Sequence, residues 1–234
     1  MNSYTHMKMI DQIKLIALSI VLTACSTQKS TEETAERKSE DPAAETSSKK
    51  EKKKIILFFG DSITAGYQLD MENAFPALIQ KRIDSLGLDY TAINAGLSGE
   101  TTAGGKSRIN WVLRTVPDIF FLELGANDGL RGLPLEETPK NLQAIIDEVK
   151  KVNPEVKLLI AGMMVPPNLG KEYTDQFQQV FSNLADENQA ELIPFLLDGV
   201  AGIPELNLSD GIHTTPEGHK IVMETVWNHL MPML

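Results

Sequence analysis

The chain has a single cysteine, Cys25, in its 234 residues, so no disulfide can close within it. It also lacks an apolar run long enough to cross a bilayer. The stretch Leu15 to Leu22 is far shorter than the roughly 20 residues a spanning helix needs. Positive charge is scarce as well: residues 55 to 234 carry twelve Lys/Arg against twenty-four Asp/Glu, a net charge of −12. Such a surface argues against nucleic acid as a partner. It suits a neutral or uncharged substrate better than a polyanion, and serves solubility equally well. Residues 26 to 53 contain no aromatic and no large aliphatic side chain, and so cannot offset the entropy of ordering. They read as a tether.

The head of the chain reads as an export signal. Lys8 and Lys14 precede the short apolar stretch, which ends Leu22-Thr23-Ala24-Cys25. This resembles the lipobox of bacterial lipoproteins, which implies a signal peptide over 1–24, lipid attachment at Cys25, and a tether over 25–54. The expected location is the bacterial cell envelope, on the outer-membrane or periplasmic side, since Ser26 and not an aspartate follows Cys25.

The remaining 55–234 segment is long enough for one core. Five apolar runs, at Ile55 to Phe59, Tyr90 to Asn94, Ile119 to Leu124, Leu158 to Gly162 and Leu192 to Phe195, are mostly continuous, as strands buried on both faces are. Helical patterns at 74–86, 103–115, 138–152, 172–188 and 216–231 separate and follow them. Alternation of this kind predicts an α/β fold: a three-layer α/β/α sandwich around a mostly parallel five-stranded sheet. Thr138-Pro139 and Thr215-Pro216-Glu217 read as helix starts, and Gly87 as a helix stop. Ligands of such sheets sit beyond the carboxyl ends of the strands, which places polar or glycine-rich clusters at 60–66, 96–105, 125–132 and 163–170 on the expected functional edge.

Three side chains there suit acyl transfer. Ser62 lies in a tight turn after the first strand, and His213 precedes the last helix with Asp210 on the same loop. A serine, an imidazole and an orienting carboxylate are what a hydroxyl nucleophile needs. Gly99, whose N–H can approach a ligand closely, and the side-chain amide of Asn127 can join the Ser62 N–H as donors to an oxyanion. Position 64 is Thr, so the turn is not the G-x-S-x-G elbow of α/β-hydrolases. His219 and His229 fall within the last helical pattern and read as packing or surface residues.

The blocks Gly60-Asp61-Ser62-Ile63, Gly99, Gly125-Ala126-Asn127-Asp128 and Asp210-Gly211-Ile212-His213 resemble, in order, those of the GDSL or SGNH hydrolases. Gly129-Leu130-Arg131-Gly132 and Val165-Pro166-Pro167-Asn168-Leu169-Gly170 resemble the thioesterase, arylesterase and lysophospholipase branch. The resemblance implies Ser62 as nucleophile, Asp210 and His213 as its partners, Ser62, Gly99 and Asn127 as the oxyanion hole, and a flavodoxin-like fold. One departure is Thr214, where many members carry proline directly after the histidine.

For the acyl chain, Leu130, Met164, Pro166 and Leu169 are the candidate wall. The chemistry calls for no metal and no organic cofactor, and a monomer is expected. The substrates expected are small acyl esters, thioesters or lysolipids. A carbohydrate O-acetyl esterase of the same fold is the alternative, followed by a tethered binding lipoprotein without catalysis. A nucleotide site is disfavoured because no glycine-rich phosphate loop follows the first strand.

Overall fold

The computed structural model describes residues 53–234. The export signal, Cys25 and nearly all of the tether lie outside the described residues. Five strands form one parallel sheet: β1 (Lys54–Gly60), β2 (Tyr90–Asn94), β3 (Ile119–Glu123), β4 (Lys157–Ala161) and β5 (Glu191–Ile193). Their spatial order is β2-β1-β3-β4-β5, with Ile56 in register with both Ala92 and Ile119. This is the flavodoxin-like order, whose direction reverses between β1 and β3 and opens a crevice at that point. The expected sandwich is therefore present.

The helices are α1 (Ser62–Ala65), α2 (Phe75–Ser85), α3 (Thr102–Val112), α4 (Ala126–Leu130), α5 (Glu137–Val152), α6 (Lys171–Asn188) and α7 (Pro216–Leu230). Helix α2 packs beside α7, while α3, α5 and α6 lie side by side. Alternation along β1 feeds both layers, because successive side chains point to opposite faces. Phe58 meets Phe75 of α2 with ring centroids 5.6 Å apart. Phe59 meets Phe120 at 5.8 Å and carries the Arg108 guanidinium of α3 over its ring at 4.4 Å. All of these phenylalanines are fully buried. Each contributes about 1.5–3 kcal/mol by leaving water.

The predicted boundaries mostly agree. Thr215 caps α7 by accepting the Gly218 N–H, with Pro216 as the first helical residue. Gly87 follows α2 with φ +65°, a left-handed conformation that glycine adopts without strain. Helix α5 begins one residue before Thr138, which puts Pro139 inside its first turn. Proline is tolerated there, since first-turn N–H groups have no intrahelical acceptor. Strand β5 is shorter than its apolar run: it ends at Ile193, and Pro194-Phe195 continue as a loop that closes over the sheet edge.

Candidate active site

Strand β1 runs directly into the turn that bears Ser62. Asp61 caps α1 by accepting the Ile63 N–H at 3.1 Å, and Ser62 is the first helical residue, 7% exposed. Gly60 is required here by space and not by torsion. A Cβ at that position would stand 2.1 Å from Thr64 Oγ1 and 2.5 Å from Glu123 Oε2.

The second element is the loop before α7. The Leu208 N–H donates to the His213 carbonyl at 2.7 Å, and Gly211 takes φ +69° to complete the turn. Asp210 Oδ1 then accepts the N–H groups of Ile212 and His213 at 2.9 and 3.0 Å. Its Oδ2 lies 2.7 Å from His213 Nδ1. An ionised carboxylate can only accept, so Nδ1 carries a proton and Nε2 is left as the base. His213 Nε2 stands 2.9 Å from Ser62 Oγ, across 151 positions of sequence. The bond from the imidazole, then the two backbone N–H bonds, lower the Asp210 carboxyl to about 2. Asp210 is therefore charged near neutral pH.

The third element lies at the ends of β2 and β3. Gly99 adopts φ +77°, and its carbonyl accepts from Arg131 Nη2 at 2.7 Å. Among the described residues neither the Gly99 N–H nor the Ser62 N–H has a protein acceptor. Asn127 Nδ2 donates to Asp61 Oδ2 at 2.9 Å and to the Glu100 carbonyl at 3.1 Å. With acceptors on both sides, that atom of the amide must be the nitrogen. Beneath this edge, Glu100 is paired with Arg108, and Asp128 accepts the Thr102 N–H and hydroxyl at 2.9 and 2.5 Å. These bonds tie the start of α3 to α4, so the glycine and asparagine loops are held by one frame.

Ser62, Asn127, Asp210 and His213 thus converge at the carboxyl edge, at the crevice between β1 and β3, and Gly99 adjoins Glu100, whose carbonyl accepts from Asn127. Beside it opens a cavity of about 540 Å3 whose walls include Leu130, Met163, Met164, Val165 and Pro166. Leu169, expected on that wall, does not line it. It belongs to a 3-10 turn over Pro167–Leu169, and its side chain is 40% exposed. The wall is instead completed by Phe195 and Leu197 from the loop after β5, and by Ile212 beside the imidazole. A second depression of about 550 Å3 lies at the opposite edge of the sheet among Lys150, Lys157 and Glu191, and brings no nucleophile and base together.

Two further residues escaped the sequence reading. Tyr67 packs its ring against His213 at a centroid distance of 4.2 Å, and so limits where the imidazole can swing. Glu123, at the end of β3, is fully buried against the nucleophile turn. Burial raises the Asp61 carboxyl and, together with the adjacent Asp61, raises Glu123 well above the usual carboxylate range. A glutamate inside an apolar strand run gives no signal of such a contact. Among the described residues no group of three or more His, Cys, Asp and Glu side chains is arranged to hold a metal ion.

The sequence pattern of the GDSL-like Lipase/Acylhydrolase family matches residues 58–221. An arylesterase of Vibrio mimicus is 38% identical over 180 residues, covering 76% of this chain and 89% of its own. Thioesterase 1/protease 1/lysophospholipase L1 of Escherichia coli K12 is 32% identical over 180 residues, covering 76% of this chain and 84% of its own. The crystal structure of TesA superposes with a TM-score of 0.74 at 36% identity, covering 77% of this chain and 100% of that one. The chain accordingly belongs to the GDSL-like lipase/acylhydrolase family and is a carboxylic ester hydrolase.

Proposed function

We propose that the chain hydrolyses esters or thioesters of an apolar acyl chain through an acyl-enzyme on Ser62. Ser62 Oγ attacks the carbonyl carbon while its proton passes to His213 Nε2. Asp210 holds the Nδ1 proton and stabilises the imidazolium. The tetrahedral oxyanion is met by the N–H groups of Ser62 and Gly99, both without a protein acceptor among the described residues. The Asn127 amide joins them by sharing the hydrogen that otherwise goes to the Glu100 carbonyl. Collapse of the adduct breaks the bond to the leaving group, which departs with the proton from His213. Water then repeats the sequence, releases the carboxylic acid and restores the Ser62 hydroxyl.

The observation that carries this reading is the Ser62–His213–Asp210 chain of contacts, at 2.9 and 2.7 Å, at the side of an apolar cavity. The cavity volume falls in the range of roughly 300–1,000 Å3 that accommodates small organic ligands. Its apolar walls favour an acyl chain of several carbons over acetyl. The names of the Vibrio mimicus and Escherichia coli relatives support aryl esters, thioesters and lysolipids as the substrate range. With lipid attachment at Cys25, the enzyme would work at the cell envelope, within reach of membrane-derived esters.

A p-nitrophenyl ester series from acetyl to dodecanoyl, run with wild type and Ser62→Ala, tests the proposal. Wild type should prefer the longer chains and carry a fluorophosphonate on Ser62, and Ser62→Ala should be inactive. Undiminished turnover by Ser62→Ala would end the nucleophile assignment. Activity confined to acetyl esters would favour carbohydrate deacetylation.

A further inference from the structure

Glu123 is a fully buried carboxyl to which the acyl-transfer scheme gives no task. Its Oε2 accepts three hydrogen bonds: from the Asp61 N–H at 3.1 Å, the Thr64 N–H at 3.3 Å and the Thr64 hydroxyl at 2.7 Å. Its Oε1 meets no donor among the described residues. An ionised glutamate would leave that oxygen charged and bare in the interior, without a donor to offset its lost hydration. A carboxylic acid removes the conflict. Oε2 is then the carbonyl oxygen, and Oε1 is a hydroxyl in need of an acceptor.

The acceptor at hand is Asp61, whose own N–H already binds Glu123 Oε2 and whose carboxyl is close enough to raise that of Glu123. Its two oxygens also accept the Ile63 N–H and the Asn127 amide. Neighbouring buried carboxyls do not both ionise, because each charge opposes the other. Each Asp61 oxygen has a donor of its own, the Ile63 N–H on one and the Asn127 amide on the other, whereas Glu123 Oε1 has none. The proton therefore resides on Glu123 and the charge on Asp61.

We propose that Glu123 is a positioning residue that acts as a neutral carboxylic acid, donating to Asp61 while accepting from the Asp61–Thr64 turn, and so fixes the Ser62 hydroxyl and the Asn127 amide as one unit. The inference rests on Ser62 being the nucleophile. It joins three segments through one proton: the end of β3, the turn after β1, and the start of α4. It also accounts for Gly60, whose missing Cβ leaves the space that Thr64 Oγ1 and Glu123 Oε2 occupy.

The test uses the whole chain. Glu123→Gln supplies a carbonyl for the turn and an N–H for Asp61, and should keep kcat within about threefold of wild type. Glu123→Ala strands the turn donors and removes the hydrogen bond to Asp61. It should lower kcat roughly 100-fold with KM nearly unchanged, the scale expected when a reacting group is displaced by about 1 Å. At neutral pH the wild-type infrared spectrum should contain a protonated-carboxyl band that shifts on 13C-glutamate labelling and is missing in Glu123→Gln. Absence of the band from wild type, full kcat in Glu123→Ala, or a Gln variant as slow as the Ala variant would each overturn the proposal. Should Glu123→Ala not fold, the Gln variant and the wild-type band decide. Fluorophosphonate labelling separates the two levels of failure. A wild type unlabelled at Ser62 sinks the nucleophile reading, and a labelled wild type without the band sinks the role of Glu123 alone.

Discussion

Acidification should destabilise this fold through His219, well away from the reacting atoms. His219 lies on α7, is 1% exposed, and accepts the Phe75 N–H on Nδ1 at 3.1 Å. Phe75 is the first residue of α2, and Ala74 before it has no side chain able to cap the helix, so an imidazole from 144 positions away supplies the missing acceptor. Protonation would turn that acceptor into a donor facing a donor and charge a ring in an apolar setting. Burial accordingly lowers the imidazole from 6.5 to about 4. Between these values the unfolded chain binds a proton that the folded chain refuses, so stability falls as the pH is lowered through this window and recovers as it is raised. At 1.36 kcal/mol per pH unit the loss amounts to about 3 kcal/mol between pH 7.5 and 4. His219→Asn keeps an acceptor near the Nδ1 position and sacrifices packing by an amount that does not vary with pH. Urea unfolding of both proteins at several pH values is the assay, because their difference cancels the carboxylates they share. Wild type should lead at pH 7.5, and its lead should shrink by about 3 kcal/mol at pH 4. A difference that stays constant across the range would refute the argument.

Three other outcomes follow from the site. Asn127→Ala should cost roughly 10²- to 10³-fold in kcat with little change in KM, the signature of a donor that acts on the oxyanion; steady-state kinetics on octanoyl p-nitrophenyl ester would show it. Tyr67→Ala removes the ring beside His213, and because aromatic contacts of that kind contribute about 0.5–1.5 kcal/mol, kcat should fall about two- to tenfold while thermal stability changes little. Leu130→Trp should fill part of the cavity and lower kcat/KM for octanoyl esters by tenfold or more, leaving acetyl esters within about threefold, since a few methylenes' worth of contact is at stake. Equal losses on both esters would remove Leu130 from the acyl wall.

The sheet was legible in the sequence because strands buried on both faces write themselves as continuous apolar runs, and the helix starts because Thr215 and Pro216 have local, short-range causes. The convergence of Ser62, Gly99, Asn127, Asp210 and His213 could be anticipated because each follows a strand or opens a helix at the same edge. Other features depend on contacts that no local pattern encodes. Glu123 sits among Phe120, Phe121, Leu122 and Leu124 and passes for a strand residue, and its contact with Thr64 is made across 59 positions. The neighbours of Leu169 in sequence point to the acyl wall, but the 3-10 turn carries it away. Phe195, Leu197 and Ile212 come from loops without periodicity, so nothing in their spacing points to the cavity. His219 looks like any helix residue until the far end of α2 is in view.

The path of the chain has a practical consequence at the edge remote from Ser62. Lys54 is in register with Tyr90, and the Tyr90 hydroxyl donates to the carbonyl of Leu234 at 2.8 Å, so both ends of the described domain meet behind the sheet. A fusion partner, affinity handle or solid support joined at either end would leave the cavity mouth unobstructed. A short linker joining those ends, with new termini opened in a surface turn such as 153–156, would make a circular permutant that keeps the Ser62, His213 and Asp210 contacts.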